Sequence, residues 1–517
     1  MIRWLSAWHW SLRTIAVIIF GVLTAGGFAP AGLWPVAILG VAGLTVVVAT
    51  TRRWFAAVGY GYAYGLGLLA LGVGWMQVIF VQAMIALAMI EAVFFALLGL
   101  FIHLALRTPW WPPVAAASWV VVEFIYSRFP FGGFGWMRLG YAMVDAPFSW
   151  GLPLYGVAGS TFLAALYAQG LVWVLEAPRR RRIVTTAAWL AGVLALCGAG
   201  LAVPAGAASG TVNVGWVQGG APGGGVFGLG PARTITRNQA AETERLASRI
   251  DAGELPHADF IVWPENSTDL DPSTDSQTRQ LVEQAASRAG VPLLIGVILD
   301  GPGKDERQTA SLWWLPDGTV TERYIKRGIV PFGEWVPFRD VLLPLIPELA
   351  YVGAQSVPGT LPGVIHPVLE AGRQLALGVI VCYDLAFDQF VSDTVTNGAQ
   401  VIVVQSSNAM YQGTTQIDQQ FAITRVRAME LRREILVVTT SGVSGLIRPD
   451  GSVAFQDPNP ASASGVVTLP VRSGVTPVAA AGGVVELALT IAGLLALAGS
   501  FSYGRMMQSR QEEHRNG

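Results

Sequence analysis

The sequence predicts a multi-span α-helical membrane protein that also carries a water-soluble α/β domain. Of its 517 residues, 52% are hydrophobic and only 13% are charged, whereas soluble domains carry about 25% charged residues. The charges are unevenly spread: residues 1–203 hold 11 arginines and 4 acidic residues, and the remainder holds 22 basic and 30 acidic ones. The first part therefore has the composition of lipid-embedded helices. Neither part has the basic, aromatic-rich surface of a nucleic-acid-binding protein, so that class is excluded.

Eight apolar stretches approach the roughly 20 residues that a helix needs to cross about 30 Å of hydrocarbon. They lie approximately at residues 12–28, 33–50, 55–75, 83–106, 114–127, 157–175, 183–203 and 477–499. We therefore expect a seven-helix transmembrane region at 1–203, an α/β domain at 204–476, and an eighth helix with a tail at 477–517.

The arginines near the ends of these stretches predict the orientation of the chain. They share one side of the membrane if eight spans alternate, and by the positive-inside rule that side is cytoplasmic. These residues are Arg3, Arg13, Arg52, Arg53, Arg107, Arg179, Arg180, Arg181, Arg182, Arg505 and Arg510. Both termini are then predicted to be cytoplasmic, and the α/β domain extracytoplasmic.

Five charged residues do not fit this simple pattern. Arg128 and Arg138 fall in an outward loop, where they are expected either to snorkel within an aromatic belt or to bind lipid headgroups. Glu91, Glu123 and Glu486 lie in or near predicted spans, where a lipid-facing carboxylate would be costly. We expect these acids to make contacts between helices.

The segment 204–476 is predicted to be an α/β domain, because runs rich in Val and Ile alternate with helix-like stretches. The predicted strands are 211–218, 259–263, 291–299, 375–382, 400–405 and 435–440, and the predicted helices are 240–252, 275–289 and 418–433. The Gly-rich stretch 219–230 lacks the Lys and Ser or Thr of a phosphate-binding loop. It is therefore interpreted as a flexible loop.

The sequence contains only two cysteines, Cys197 and Cys382. Cys197 falls inside an apolar span and is expected to be a small core residue. Cys382 lies where the apolar run 375–381 ends in Tyr383 and Asp384, and sites in α/β sheets form at the carboxyl ends of strands. Cys382 is thus either a catalytic thiol or a buried structural one.

Lysine is rare in this sequence, and two carboxylates lie in unusual surroundings. Only two of the 33 basic residues are lysines, Lys304 and Lys326. A compact ammonium suits the stabilisation of an oxyanion better than the planar fork of Arg, so Lys326 is a candidate and Lys304 is interpreted as a surface cation. Glu265 follows a predicted strand, and Glu334 lies between aromatic residues and prolines. Each carboxylate alone is weak evidence.

Together these segments resemble a known superfamily. Three motifs occur in the order and approximate spacing of the Glu, Lys and Cys of the nitrilase superfamily. They are Trp263-Pro264-Glu265, the pair of segments 324–326 and 330–338, and Val381-Cys382-Tyr383-Asp384. The Pro-Phe-Gly-Glu-Trp-Val-Pro-Phe element and the flanking spans are similar to those of the apolipoprotein N-acyltransferase family. This resemblance covers essentially the whole chain.

The resemblance implies a nitrilase-like α-β-β-α sandwich and an enzyme of the bacterial plasma membrane. Such an enzyme transfers an acyl chain from a phospholipid to the α-amine of a diacylglyceryl-modified apolipoprotein, by a ping-pong mechanism through a Cys thioester. The sequence itself shows no metal cluster and no cofactor-binding loop, so no cofactor and no metal are expected. The roles that the resemblance assigns are general base for Glu265, electrostatic stabiliser for Lys326, nucleophile for Cys382, and binding or supporting positions for Glu334, Tyr383 and Asp384.

This sequence departs from the family pattern at three places. Asp384 stands where the family more often has Glu. The stretch 407–413 lacks the Trp of the usual Asn-Asp-Ala-Trp-Phe-Gly, and Phe227 is the nearest aromatic where a Trp is expected after Gln218-Gly219. These departures concern substrate binding more than the chemistry. The apolar stretch 336–352 is expected to be either a lid that dips into lipid or ordinary core.

Two other functions are compatible with the same residues. A membrane-tethered C–N hydrolase, such as an amidase, would use the triad with water as the acceptor, but the eight spans would then be unexplained. A non-catalytic protein would instead anchor a partner such as a polyprenol-phosphate glycosyltransferase. The presence of Glu265, Lys326 and Cys382 together argues against a purely structural role.

Overall fold

The computed structural model describes residues 8–176, 179–459 and 461–516, so Arg3 of the orientation argument lies outside the described residues. The chain forms two compact units. The first contains the described residues up to Val203 and those from Gly483 onward, and the second is Pro204–Gly482. The predicted boundary at 476/477 lies just before a short helix, Pro477–Ala481, at the end of the second unit.

The first unit consists of helices, and each predicted span overlaps one of them, although the predicted eighth span starts at 477 and its helix at Val484. They are α1 (Trp10–Ala25), α2 (Trp34–Val48), α3 (Trp54–Gly72), α4 (Val81–Ala105), α5 (Trp111–Tyr126), α6 (Leu152–Glu176), α7 (Arg179–Ala199) and, after the second unit, α14 (Val484–Asn516). Among the described residues, four helical segments are long and apolar enough to cross a membrane: 54–72, 81–105, 147–174 and 484–507. The count of eight spans stays a prediction.

Both expectations for Arg138 were wrong, because its guanidinium is buried rather than interfacial. Its side chain is only 2% exposed; Nη2 lies 2.8 Å from Oε1 of Glu486 on α14, and Nε lies 3.5 Å from Oε2 of Glu123 on α5. Glu123 also accepts from the N–H of Leu139 at 2.7 Å. Arg128, which is half exposed, lies 2.5 Å from the other Glu486 oxygen. The prediction that Glu123 and Glu486 make helix contacts is confirmed.

The second unit contains two β-sheets. The strands are β1 (Ala208–Gln218), β2 (Phe260–Val262), β3 (Leu293–Asp300), β4 (Glu306–Trp314), β5 (Val320–Ile325), β6 (Gln355–Ser356), β7 (Val364–Ile365), β8 (Leu377–Val381), β9 (Val401–Ser406), β10 (Ile435–Thr439), β11 (Ser444–Ile447), β12 (Val453–Asp457) and β13 (Ala463–Arg472). The first sheet has the order β13-β1-β2-β3-β4-β5, with β6 paired to β4, and the second has the order β12-β11-β10-β9-β8-β7.

The two sheets pack face to face between helices. Alternate side chains of β1 and β2, such as Val214 and Val262, share one apolar core with Val379 and Val403 of the second sheet. The helices of this unit are α8 (Thr234–Asp251), α9 (Ser276–Ala289), α10 (Arg339–Leu342), α11 (Asp388–Thr396), α12 (Thr415–Leu431) and α13 (Pro477–Ala481). α8 and α9 share a second core with the outer face of the first sheet, and α11 and α12 contact the second sheet. This is the predicted α-β-β-α sandwich.

Candidate active site

Three of the predicted site residues follow the carboxyl ends of strands. Glu265 comes shortly after β2, Lys326 directly follows β5, and Cys382 directly follows β8. β2 and β3 are parallel, and β4 is antiparallel to both β3 and β5. β5 therefore runs in the same direction as β2. Glu265 and Lys326 therefore lie at the same edge of the first sheet. Cys382 comes from the second sheet, so the two sheets together form the site.

The ammonium group of Lys326 lies between two carboxylates. Its Nζ donates to Oε1 of Glu265 at 2.9 Å and to Oε1 of Glu334 at 2.8 Å. Lys326 and Glu265 are buried, and a buried charge is tolerated only with partners of this kind because its desolvation is costly. The structure thus brings together the three charged residues that the sequence predicted separately.

Glu334 also makes hydrogen bonds that stabilise its own loop. Its second carboxylate oxygen accepts from the N–H of Val330 at 2.8 Å, and its own N–H donates to the carbonyl of Val330 at 2.8 Å. The carbonyl of Glu334 accepts from the N–H of Ser356 on β6. The loop is therefore fixed both to itself and to the first sheet, which orients the carboxylate towards Lys326.

Cys382 adopts a backbone conformation that is unusual for a residue with a side chain. Its φ is +46°, and it opens a short 3₁₀ turn, Cys382–Ala386, at the end of β8. Left-handed backbone at a residue other than glycine is uncommon and clusters at functional sites. The sharp turn presents the thiol beyond the strand end, and its side chain is half-buried.

The electrostatic environment keeps the thiol protonated and the lysine charged. Burial raises the pKa of Cys382, and the negative charge of Glu265 raises it further. Burial alone would lower the pKa of Lys326, but the carboxylates of Glu265 and Glu334 outweigh it and raise this pKa well above its usual value. The thiol therefore needs a base to become a nucleophile.

Asp384 joins three segments around the site. Its Oδ2 accepts from the hydroxyl of Tyr324 at 2.9 Å and from the N–H of Val381 at 3.2 Å, and its Oδ1 accepts from the N–H of Gly328 at 2.5 Å. Burial raises the pKa of this carboxyl group, and the charge of Lys326 opposes that effect. Asp384 thus links the strand before the nucleophile to the chain on both sides of Lys326.

Tyr383 is buried, and its ring packs edge-on against Phe387 with 5.3 Å between the ring centroids. Phe387 stacks in turn on Phe390, which lies under the guanidinium of Arg327. This aromatic cluster supports the turn that carries Cys382.

Sequence reasoning missed two contributions from the chain after β9. The N–H of Ser407 donates to Oε2 of Glu265 at 3.0 Å, which fixes the second oxygen of the predicted base. Burial raises the pKa of Tyr411, and electrostatic interactions with Cys382, Glu334 and Glu265 raise it further. The departure from the family pattern at 407–413 was the available signal, but it pointed to lipid contacts rather than to the base.

Two family models match most of the chain. Residues 20–170 match the N-terminal domain of apolipoprotein N-acyltransferase, and residues 234–478 match the carbon-nitrogen hydrolase family. An apolipoprotein N-acyltransferase of Mycolicibacterium smegmatis is 32% identical over 91% of this chain and 82% of its own length. The chain belongs to the apolipoprotein N-acyltransferase family. It is a membrane protein with a C–N hydrolase domain.

A second relative agrees with this membership. The apolipoprotein N-acyltransferase of Nitrosomonas europaea is 30% identical over 95% of this chain and 97% of its own length. Among solved structures, an amidase from Nesterenkonia sp. aligns with 19% identity and a TM-score of 0.34, covering 52% of this chain and 93% of the amidase.

The two stretches in which this chain departs from the family pattern, 219–230 and 407–413, contact each other. Phe227 of the Gly-rich loop meets Tyr351 edge-on, with 5.7 Å between the ring centroids. The N–H of Gly225 donates to the carbonyl of Met410, which stands where the family often has Trp. The Gly-rich loop is therefore joined to the chain after β9 and to the apolar stretch 336–352.

The apolar stretch 336–352 is not ordinary core, and that expectation was wrong. Phe338, Val341 and Leu345 are 71%, 64% and 72% exposed, respectively, within a segment that contains the four-residue helix α10 and a short 3₁₀ helix, Pro347–Val352. Too few packing partners surround these side chains to bury them. The alternative, a lid that contacts lipid, stays a prediction.

No cluster of three or more His, Cys, Asp or Glu side chains able to hold a metal ion occurs among residues 8–176, 179–459 and 461–516.

Proposed function

We propose that this protein transfers an acyl chain from a phospholipid to the α-amino group of the diacylglyceryl-modified N-terminal cysteine of apolipoproteins. The observation that carries the proposal is the half-buried thiol of Cys382, which follows a strand end in left-handed backbone and interacts electrostatically with Glu265 and Lys326, themselves joined by a hydrogen bond. The names of the relatives indicate N-acylation of an apolipoprotein. The resemblance of the sequence to the family implies the phospholipid donor and the diacylglyceryl-modified cysteine, and the site supplies the chemistry.

In the first half-reaction the thiol becomes an acyl carrier. Glu265 takes the proton of Cys382 while sulfur attacks the ester carbonyl of the phospholipid. Lys326 and a backbone N–H beside Cys382 stabilise the oxyanion, an effect worth about 3 kcal/mol per donor. The proton on Glu265 then passes to the departing lysophospholipid oxygen, and a thioester remains on Cys382.

In the second half-reaction the acceptor amine attacks the thioester. Glu265, now ionised again, takes a proton from the attacking nitrogen, and Lys326 stabilises the second oxyanion. The C–S bond breaks, an amide forms, and the thiolate of Cys382 regains the proton held by Glu265. The enzyme returns to its starting state, which makes the cycle ping-pong.

Glu334 has a supporting role in this scheme. It accepts a second hydrogen bond from Lys326, so the ammonium keeps a charged partner when Glu265 takes up a proton and loses its charge. A preorganised cation of this kind needs no rearrangement when the oxyanion forms.

The location of the reaction follows from its substrates. Both are anchored by acyl chains whose removal from a bilayer costs about 0.8 kcal/mol per CH₂. The exposed side chains of Phe338, Val341 and Leu345 supply an apolar surface suited to lipid contact. We further propose that both termini are cytoplasmic and that the unit containing Cys382 is extracytoplasmic, on the arginine distribution described above.

The test is a transfer assay with the purified full-length protein, a defined phospholipid and a diacylglyceryl-cysteine peptide. We expect the peptide to gain one acyl mass while lysophospholipid accumulates in equal amount. Cys382→Ser should abolish both products, and Cys197→Ser should keep both. Lysophospholipid with free fatty acid and unmodified peptide would indicate a hydrolase instead. No product at all from folded protein would favour an anchor for a partner such as a polyprenol-phosphate glycosyltransferase.

A further inference from the structure

A buried amide lies on the strand next to the nucleophile. Gln405 is part of β9, where the preceding residues, 401–404, are all Val or Ile, and its side chain is fully buried. In the parallel ladder between β8 and β9, Gln405 is paired with Val381, the residue before Cys382. Gln405 is therefore level with the end of the strand that presents the thiol.

The side chain of Gln405 makes its hydrogen bonds with the opposite sheet. Its Nε2 donates to the carbonyl of Trp263 at 2.5 Å and to that of Leu294 at 3.4 Å, and its Oε1 accepts from Oγ of Ser311 at 2.5 Å. Burying an amide is unfavourable unless it is paired. Because these partners belong to the first sheet, the bonds specify how the two sheets are aligned, which the surrounding apolar contacts do only loosely.

The residue that follows β9 bonds to the predicted base itself. Glu265 follows Trp263 by two residues, and Pro264 between them has no N–H with which to extend the ladder. Ser407, two residues after Gln405, donates its N–H to Glu265 at 3.0 Å. β9 and the residue directly after it are thus bonded to the segment of Glu265, at Trp263 and at Glu265 itself.

We infer that Gln405 is a positioning residue that sets the distance between the carboxylate of Glu265 and the thiol of Cys382. The inference rests on the proposed function, in which Glu265 removes the proton of Cys382. The base and the nucleophile come from different sheets, so a small slide between the sheets would separate them. Gln405 is joined by its backbone to the strand of the nucleophile and by its side chain to the segment of the base.

The experiment measures the rate at which iodoacetamide alkylates Cys382 as a function of pH. It uses the full-length protein in detergent, with Cys197→Ser throughout so that one thiol remains. Gln405→Met keeps the length and approximate volume of the side chain but removes the amide. At neutral pH we expect alkylation to slow at least ten-fold, part of the about 100- to 10,000-fold that a positioned base contributes. The difference should shrink as pH rises, because hydroxide replaces the base.

A matched control is available on the same strand. Nε2 of Gln420, on α12, donates to Oγ of Ser406 at 2.5 Å, and Ser406 points to the opposite face from Gln405 because side chains alternate along a strand. Gln420→Met therefore removes a buried amide bonded to β9 without touching the segment of Glu265. The pH dependence of Cys382 alkylation should be the same in Gln420→Met as in wild type. Ser311→Ala, which frees one end of the Gln405 amide, should shift the profile in the same direction as Gln405→Met but less.

A wild-type pH profile in Gln405→Met, even with a lower melting temperature, would show that Gln405 only stabilises the fold and would overturn the inference. If Gln405→Met does not fold, Ser311→Ala decides by the same criterion. Glu265→Gln separates the two proposals. If it slows alkylation at neutral pH while Gln405→Met does not, only the inference is wrong; if it keeps the wild-type profile, the general-base role fails and the inference fails with it.

Discussion

The two units of the molecule each contain a buried cation between two carboxylates, but the cations differ. In the helical unit Arg138 lies between Glu123 and Glu486, at 3.5 and 2.8 Å. In the α/β unit Lys326 lies between Glu265 and Glu334, at 2.9 and 2.8 Å. In both clusters a buried cation has two carboxylate partners, although Arg128 adds a second cation at Glu486 in the helical one. A cation between two carboxylates therefore does not by itself make a reactive site.

What separates the clusters is the shape of the cation and what lies beside it. The fork of Arg138 engages carboxylates of two helices at once, as suits a structural link. The ammonium of Lys326 is compact and interacts electrostatically with Cys382, where the proposed mechanism forms the oxyanion. This contrast also gives a reason for a lysine at position 326 in a sequence with only two lysines.

Exchanging the cation of the site should have the largest effect. Lys326→Arg keeps the charge, but the longer planar fork cannot occupy the same position between Glu265 and Glu334. We expect acyl transfer to fall about 100- to 1,000-fold, the loss typical of one oxyanion donor. The rate of lysophospholipid release checks this, with circular dichroism to confirm the fold. Turnover of Lys326→Arg at the wild-type rate would show that Lys326 has no role in the reaction. The two clusters would then not differ in function through their cations.

Removing one carboxylate of the site should have a smaller effect. Glu334→Gln keeps the size of the side chain but replaces a charged hydrogen bond to Lys326, worth about 1.5 to 3 kcal/mol, by a neutral one. We expect transfer to fall roughly 10- to 100-fold, measured in the same assay. Glu283→Gln is the matched control, because Glu283 is an exposed partner of Arg279 on α9. Equal activities of the two variants would contradict a role for Glu334.

The reverse exchange in the helical unit should affect stability rather than catalysis. Arg138→Lys keeps the charge but loses part of the contact with Glu123 and Glu486. We expect a lower melting temperature, with a loss smaller than the about 3 to 5 kcal/mol of a fully broken buried pair, and transfer within two-fold of wild type. A folded Arg138→Lys protein without activity would show that the helical cluster also takes part in the reaction.

The contact of Asp384 with Tyr324 should matter least. Tyr324→Phe removes one hydroxyl donor and leaves Asp384 its bonds to Gly328 and Val381. We expect the free energy of unfolding to fall by about 1 to 2 kcal/mol and transfer to change less than the loss in Glu334→Gln. Thermal unfolding and the transfer assay measure the two quantities. A loss of activity as large as in Lys326→Arg would place the hydroxyl in the chemistry itself.

The sequence predicted those features that depend on local pattern. Glu265 and Cys382 were found because each follows an apolar run, and the carboxyl ends of parallel strands meet at one edge of a sheet. Lys326 was found from composition. The sandwich followed from the resemblance of these segments to a known superfamily.

The sequence could not predict the features that depend on distant partners. Arg138 was misread because its partner Glu486 is far away in the chain, and no local pattern pairs them. The hydrogen bonds of Gln405 and Ser407 exist only once the two sheets face each other. A single polar residue at the end of an apolar strand does not reveal which sheet its side chain will meet.

The most direct test of the account is the intact mass of the purified protein after incubation with one defined phospholipid, before and after neutral hydroxylamine. We predict one added acyl chain that hydroxylamine removes, in wild type and Cys197→Ser but not in Cys382→Ser. An unmodified wild-type protein that nevertheless transfers acyl chains, or an adduct that persists in Cys382→Ser, would contradict the thioester on Cys382.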